Sequence, residues 1–148
     1  MGTRGYYIFL YKGIYYVFYN HWDSQLDGLG QKLVNEIRTW TDADYEEIKA
    51  ALEKIPEDYK NENYGNFEGL KKAALDYTSY TLDYHGDISP LIKLSSLAIL
   101  YVYIINLDRM RFEIGWNSNI DGTRCTQRYW LKSIPEDWDE ICYDPEEE

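Results

Sequence analysis

Cysteine, histidine and proline are scarce in this chain of 148 residues, which has two, two and four of them. Cys125 and Cys142 cannot build a disulfide framework, and neither belongs to a CxxC pair. Reduced, partly buried thiols in an intracellular protein are therefore expected. His21 and His85 leave no imidazole in reserve, and with Asp23 they match no recognised ligand spacing, so neither metal nor cofactor is expected. Positive charge is also short: 15 basic residues face 26 acidic ones, a net charge of −11. Such a surface repels phosphate backbones and anionic lipid, which argues against direct nucleic-acid or membrane binding and leaves room for a basic protein partner. Long apolar runs are missing too. The longest, Leu97 to Ile105, is about half a membrane span. The opening Met-Gly-Thr-Arg-Gly has no signal-peptide character, and Tyr6 stands where a myristoylation signal needs Ser or Thr. A soluble, cytoplasmic protein is the expectation.

What the chain has in abundance is tyrosine, sixteen of them. Tyrosine joins an apolar body to a polar tip and suits half-buried sheet faces and interfaces. The length fits a single domain, residues 1–143, with a core that needs no covalent staples. The acidic stretch Asp144–Glu148 is expected to be a disordered tail.

Tyr6–Tyr11 and Ile14–Tyr19 are aromatic and β-branched runs joined by Lys12-Gly13, which predicts a tight hairpin. Alternation places Tyr6, Ile8 and Leu10 on one face and Tyr7, Phe9 and Tyr11 on the other. Neither set is polar, so both faces of this sheet are expected to be covered. Leu29, Leu33, Ile37 and Trp40 recur at helical spacing and predict a helix over Gly28–Trp40. Thr41 is placed to cap a second helix with the stripe Tyr45, Ile48, Leu52 and Ile55, stopped by Pro56. Asn66 would cap a third, with Phe67, Leu70, Ala74 and Tyr77 inward. Tyr80–Ser89 reads as irregular, and Ser89-Pro90 as the start of a helical turn through Leu94. A second hairpin follows, Leu97–Leu107 and Met110–Trp116, turning at Asp108-Arg109. Asn117–Thr123 reads as a loop, Tyr129–Leu131 as a short strand and Ile134–Trp138 as a final helical turn. Strands and helices come in blocks, so the predicted fold is α+β: one antiparallel sheet from the two hairpins, helices packed on one face.

The chemistry-bearing groups gather after the second strand, in Asn20-His21-Trp22-Asp23-Ser24. With Arg4 they form the candidate ligand site: Arg4, Asn20, His21, Asp23 and Ser24. A His21-Asp23-Ser24 hydrolase is disfavoured, because i, i+2 and i+3 in a loop rarely aim at one another. Local capping and turn bonds from Asn20, Asp23 and Ser24 are the simpler expectation. Gly28-Leu29-Gly30 lies where a phosphate loop would, with Arg4 in reach if the first strand runs alongside, but its spacing fits neither familiar fingerprint. Arg124, Arg128 and Lys132 are the one local basic cluster and read as a solvated face.

Together, Thr3-Arg4-Gly5, Tyr19-Asn20-His21-Trp22-Asp23-Ser24, Gly28-Leu29-Gly30, Asn106-Leu107-Asp108 and Phe112-Glu113-Ile114 carry a resemblance. The chain resembles an uncharacterised family of small intracellular proteins found in bacteria, fungi and large double-stranded DNA viruses. The likeness covers both hairpins and the first helix and hardly touches Tyr45–Ser96. It implies a shared fold and a shared polar corner, and it lends no activity. The high Tyr, Asn and Ile usage suits a viral member and a place in the virion.

Two functions are therefore carried forward. The first is a non-enzymatic, self-associating protein, a homodimer with a structural or packaging role. The second is an N-terminal-nucleophile-like hydrolase around Thr3, Arg4, Asn20 and Asp23. That reading needs Gly2 removed as well as Met1 before Thr3 gains a free amine.

Overall fold

The computed structural model describes residues 3–61, 67–87, 101–117 and 124–139. Among these, six strands form one sheet in the order β3-β2-β1-β4-β5-β6. The strands are β1 (Gly5–Tyr11), β2 (Ile14–Asn20), β3 (Leu82–Gly86), β4 (Tyr101–Asn106), β5 (Arg111–Asn117) and β6 (Arg124–Trp130). Three helices accompany them: α1 (Gln31–Ile37), α2 (Asp42–Glu53) and α3 (Leu70–Leu75). The expected α+β architecture is present, with both hairpins in one sheet and the helices on one face. The unforeseen feature lies at the centre, where β1 and β4 run parallel, Tyr6 opposite Val102 and Ile8 opposite Ile104. Every other pairing is antiparallel.

The first hairpin closes as the residues dictate. Lys12 and Gly13 take φ of 52° and 75°, the mirror-image turn whose twist matches that of the strands. Asp108, from the other hairpin, accepts the backbone N–H groups of Lys12 and Gly13 at 2.6 and 3.0 Å. The second turn is longer than the expected Asp108-Arg109, because Asn106 pairs with Arg111 and leaves four residues between them. Its side chain explains the length: Asn106 Oδ1 accepts the N–H of Arg109 at 3.0 Å.

Two segments read from sequence as irregular or short are full strands. β3 occupies part of Tyr80–Ser89 because β2 offers it a ladder, Tyr16 opposite His85 and Val17 opposite Tyr84, with a bulge before Phe18. β6 begins at Arg124, five residues ahead of the Tyr129 start expected, along the edge of β5. The expected final turn is there, with Trp138 N–H on the carbonyl of Pro135 at 3.3 Å. Asn66, the turn from Ser89, residues 118–123, Cys142 and the acidic tail lie outside the described residues.

The helix-side core is continuous. Leu29, Leu33, Val34 and Ile37 join Tyr45, Ile48 and Leu52 over Tyr7, Phe9, Phe18, Tyr103 and Phe112, all buried. Thr41 caps α2 as expected, in a reciprocal box: Thr41 N–H donates to Asp44 and Asp44 N–H to Thr41. α3 is capped from elsewhere. The Glu36 carboxylate, on α1, accepts Leu70 N–H at 2.7 Å and Lys71 N–H at 2.9 Å.

The second face is different. In the register of the ladders, one row across it reads Tyr84, Val17, Ile8, Ile104, Glu113, Arg128. Ile8, Val17, Val102 and Ile104 form a small separate cluster, at most 1 % exposed, with Tyr6, Leu10, Tyr15, Tyr19 and Tyr84 packed against it.

Candidate functional site

The polar corner follows from β2 running out of partners. β2 ends at Asn20, opposite Gly5, and the chain must then turn across the start of β1 to reach the first helix. It does so through Asp23, whose φ of 56° is left-handed, a conformation asparagine and aspartate tolerate better than most residues. Ser24 N–H then reaches back to the Thr3 carbonyl at 3.0 Å, pinning the turn over the N-terminal strand.

Inside the turn Asn20 and Ser24 serve the backbone and each other. Asn20 Nδ2 donates to the Trp22 carbonyl at 2.6 Å and to Ser24 Oγ at 2.8 Å, and Ser24 Oγ donates to the Asn20 carbonyl at 3.3 Å. Both residues are buried, so these bonds offset the cost of removing amide and hydroxyl from water. From below, the Tyr103 hydroxyl donates to the Ser24 carbonyl at 2.7 Å. Burial drives the Tyr103 phenol well above its ordinary range, so it stays a neutral donor.

The approach of Ser24 to β1 is close enough to require glycine. A Cβ on Gly5 would lie 2.7 Å from Ser24 Cβ and 2.8 Å from the Tyr101 carbonyl oxygen. Gly28 has the same role against the turn, where a Cβ would come within 2.3 Å of the Asp23 carbonyl oxygen. That carbonyl also accepts Leu29 N–H at 2.7 Å, and Gly30 N–H reaches Gln25 O at 3.3 Å, giving the wide π-type turn Leu26–Gly30 ahead of α1. The glycines of Gly28-Leu29-Gly30 thus serve tight packing here; Gly30 faces Trp138 and Tyr103.

The remaining candidates separate. His21 Nδ1 bonds the Tyr19 hydroxyl at 2.7 Å, and its ring meets Trp22 edge to face at 4.7 Å. Trp22 is the most exposed large apolar side chain described, at 55 %. Arg4 and Asp23 are exposed, and neither makes a side-chain hydrogen bond or ion pair among the described residues. The expected cluster of Arg4, Asn20, His21 and Asp23 therefore resolves into an Asn20–Ser24 network, a His21–Tyr19 pair and two solvated charges. A short local span aims Asn20 and Ser24 at each other, whereas Arg4 lies just ahead of β1 and is exposed. His85, the other histidine, is on β3 and bonds the Tyr59 carbonyl at 3.1 Å. Among the described residues, no group of three or more His, Cys, Asp or Glu is placed to hold a metal ion.

Sequence reasoning missed the packing role of Gly5 and the hydrogen bond of Tyr103. Neither carries a local signal, since the contacts that make them necessary join Ser24 to β1 and β4. Among the described residues no helix is long and apolar enough to cross a membrane. Compared with protein-family models, with curated proteins and with solved structures, the chain matches none.

Proposed function

We propose that this is a non-enzymatic, self-associating protein that pairs through the rim of its second sheet face. The observation that carries this reading is the tyrosine ring around Ile8, Val17, Val102 and Ile104, on the face opposite the three helices. The centre of that face is closed to water within one chain, so a second copy would meet the half-buried Leu10, Tyr15 and Tyr84 and the exposed Trp130. Leu10, Tyr15 and Trp130 fall in one row of the ladders, Tyr15–Leu10–Asn106–Arg111–Trp130. Tyrosine and tryptophan at such positions give contact area at low entropic cost, and about 800 Å² per subunit makes a stable contact. Two-fold pairing is the commonest closed arrangement. The structural or packaging role in a virion is proposed on composition alone, the high Tyr, Asn and Ile usage.

The hydrolase around Thr3, Arg4, Asn20 and Asp23 has weaker support. Asn20 is committed to Trp22 and Ser24, the Thr3 carbonyl to Ser24, and Arg4 and Asp23 stand apart. Light scattering at micromolar concentration tests the first reading: twice 17.6 kDa is expected, reverting to 17.6 kDa in Tyr15→Glu. A wild-type mass of 17.6 kDa overturns it. An intact mass showing a chain that starts at Thr3 would revive the hydrolase.

A further inference from the structure

At the tip of the first hairpin, on the helix side, an open groove of about 520 Å³ runs between the β1–β2 turn, the end of α2 and the end of β3. Its size is in the range of ligand sites, about 300–1,000 Å³. Its walls are apolar and aromatic, from Tyr11, Ile14, Tyr16 and Ile55. Its charge is lopsided: Glu53, Glu57 and Asp87 line it, against the ammonium of Lys12. The C-terminal end of α2, where the helix carbonyls leave partial negative charge, adds to the same sign.

The groove already shows how it treats a cation. Lys12 Nζ bonds the Glu53 carboxylate and sits 5.3 Å from the centroid of the Tyr11 ring, so carboxylate and ring face are used together. That satisfies one carboxylate of the three. Glu57 and Asp87 are exposed and have no ion-pair partner among the described residues. His85 stands beside them, its Nε2 donating to the Tyr59 carbonyl. The same ring stacks on Tyr16, centroids 6.4 Å apart and planes 15° from parallel, making a flat wall.

We propose that this groove docks a basic segment of a partner protein, an arginine side chain lying between the rings with its guanidinium on Glu57 and Asp87. Apolar walls suit the methylene stem, and a planar guanidinium can stack on a ring while its fork of N–H groups bonds carboxylates, whereas an ammonium has no plane to stack. The groove is a trough open to solvent, which suits a side chain that remains attached to a backbone outside it. The net charge of −11 would speed the approach of such a partner. The groove uses helix-side residues, so this proposal stands independently of pairing through the second face.

The test is a titration of the full-length, 15N-labelled protein with a blocked heptapeptide carrying two arginines. The comparison peptide carries citrulline in their place, with the same shape and no charge. Amide shifts are expected around Ile55, His85, Gly86 and Asp87. Affinity should fall at least tenfold in the Glu57→Gln, Asp87→Asn double variant, whose substitutions are exposed and leave the fold intact. Lys12→Gln, which releases Glu53, should tighten binding several-fold. The proposal is overturned if shifts map elsewhere, if the double variant binds equally well, or if the citrulline peptide binds as tightly. Equal affinity for blocked arginine alone would overturn the protein-segment assignment in favour of a small amine.

Discussion

Two rows of side chains lie back to back across the sheet, one residue apart in every strand. On the helix side the row is His85, Tyr16, Phe9, Ile105, Phe112, Tyr129; on the other it is Tyr84, Val17, Ile8, Ile104, Glu113, Arg128. Both are apolar through the three central positions, those of the first hairpin and β4. Beyond β4 they diverge, because the first row remains aromatic to the last strand while the second becomes ionic. The polar residues there are hardly wetter than the aromatic ones: Arg111 is 5 % and Glu113 8 % exposed, with Arg111 Nη2 on Glu113 Oε2 at 2.9 Å. Asn106 Nδ2 also donates to that carboxylate, at 3.3 Å. Burial by itself therefore does not distinguish the faces. The helix side is held by packing, and the outer half of the second side by hydrogen bonds that must all be kept.

The largest effects should come from the two rows themselves. Phe9→Ala is expected to cost about 3–5 kcal/mol and its neighbour Ile8→Ala about 2–5 kcal/mol, read from urea unfolding. An Ile8→Ala cost below about 1 kcal/mol would mean the second face is wet in solution and the comparison fails. At the ionic end, Glu113→Ala should cost about 3–5 kcal/mol, since it strips a buried guanidinium of this carboxylate. The double substitution Arg111→Met, Glu113→Leu should recover much of that loss. A double variant no better than the single one would place the cost in packing.

At the polar corner the same contrast operates on a smaller scale. Asn20→Ala removes the bonds to Trp22 and Ser24 and should lower stability by about 1–3 kcal/mol. Asp23→Ala, whose carboxylate is solvated, should stay within about 0.5 kcal/mol. Equal losses from the two would show that Asp23 belongs to the network.

The smallest expected effect lies on the surface of the helix layer and appears on acidification. The ammonium of Lys71 bonding Asp44, helped by the Thr41 N–H, holds this carboxyl at about 2 against an ordinary 3.8. The folded value is the lower one, so its stabilising contribution is complete above about pH 4 and is lost as pH falls through about 2. Thermal melts between pH 4 and 2 should fall less steeply in Asp44→Asn than in the wild type. Parallel slopes would remove Asp44 from the account.

How far the sequence could be read depended on whether the partners were near in the chain. Leu33 and Ile37 declare α1 by spacing, though it spans only Gln31–Ile37 of the expected Gly28–Trp40, and Thr41 with Asp44 declares the start of α2, because each signal is complete within a turn or two. Asn20 and Ser24 were legible in part: their bonds to nearby backbone were expected, whereas the bond between their side chains was not, and neither they nor Asp23 caps the following helix. β3 was not, since Leu82-Asp83-Tyr84-His85-Gly86 has little strand character and takes its form from the ladder of β2. Glu36 as the cap of α3, and Gly5 as the seat of Ser24, depend on segments brought together only in the fold. The parallel pairing of β1 with β4 is the extreme case, because nothing within either strand specifies the direction of a neighbour so distant in sequence.

That central pairing also has a consequence in time. β2 is complete at Asn20, but the described residues of the strand that closes the other side of β1 start at Tyr101. At ribosomal rates of about 5–20 residues per second, the 81 residues from Asn20 to Tyr101 take roughly 4–16 s to make. Throughout that interval β1 is an edge strand, apolar on both faces, with a free row of peptide N–H and C=O groups on the side that will meet β4. The nascent first hairpin is therefore the stage at which this chain is most open to capture by another β-strand. Anything that shelters it, a chaperone above all, would act before the fold exists and leave no trace in the finished sheet.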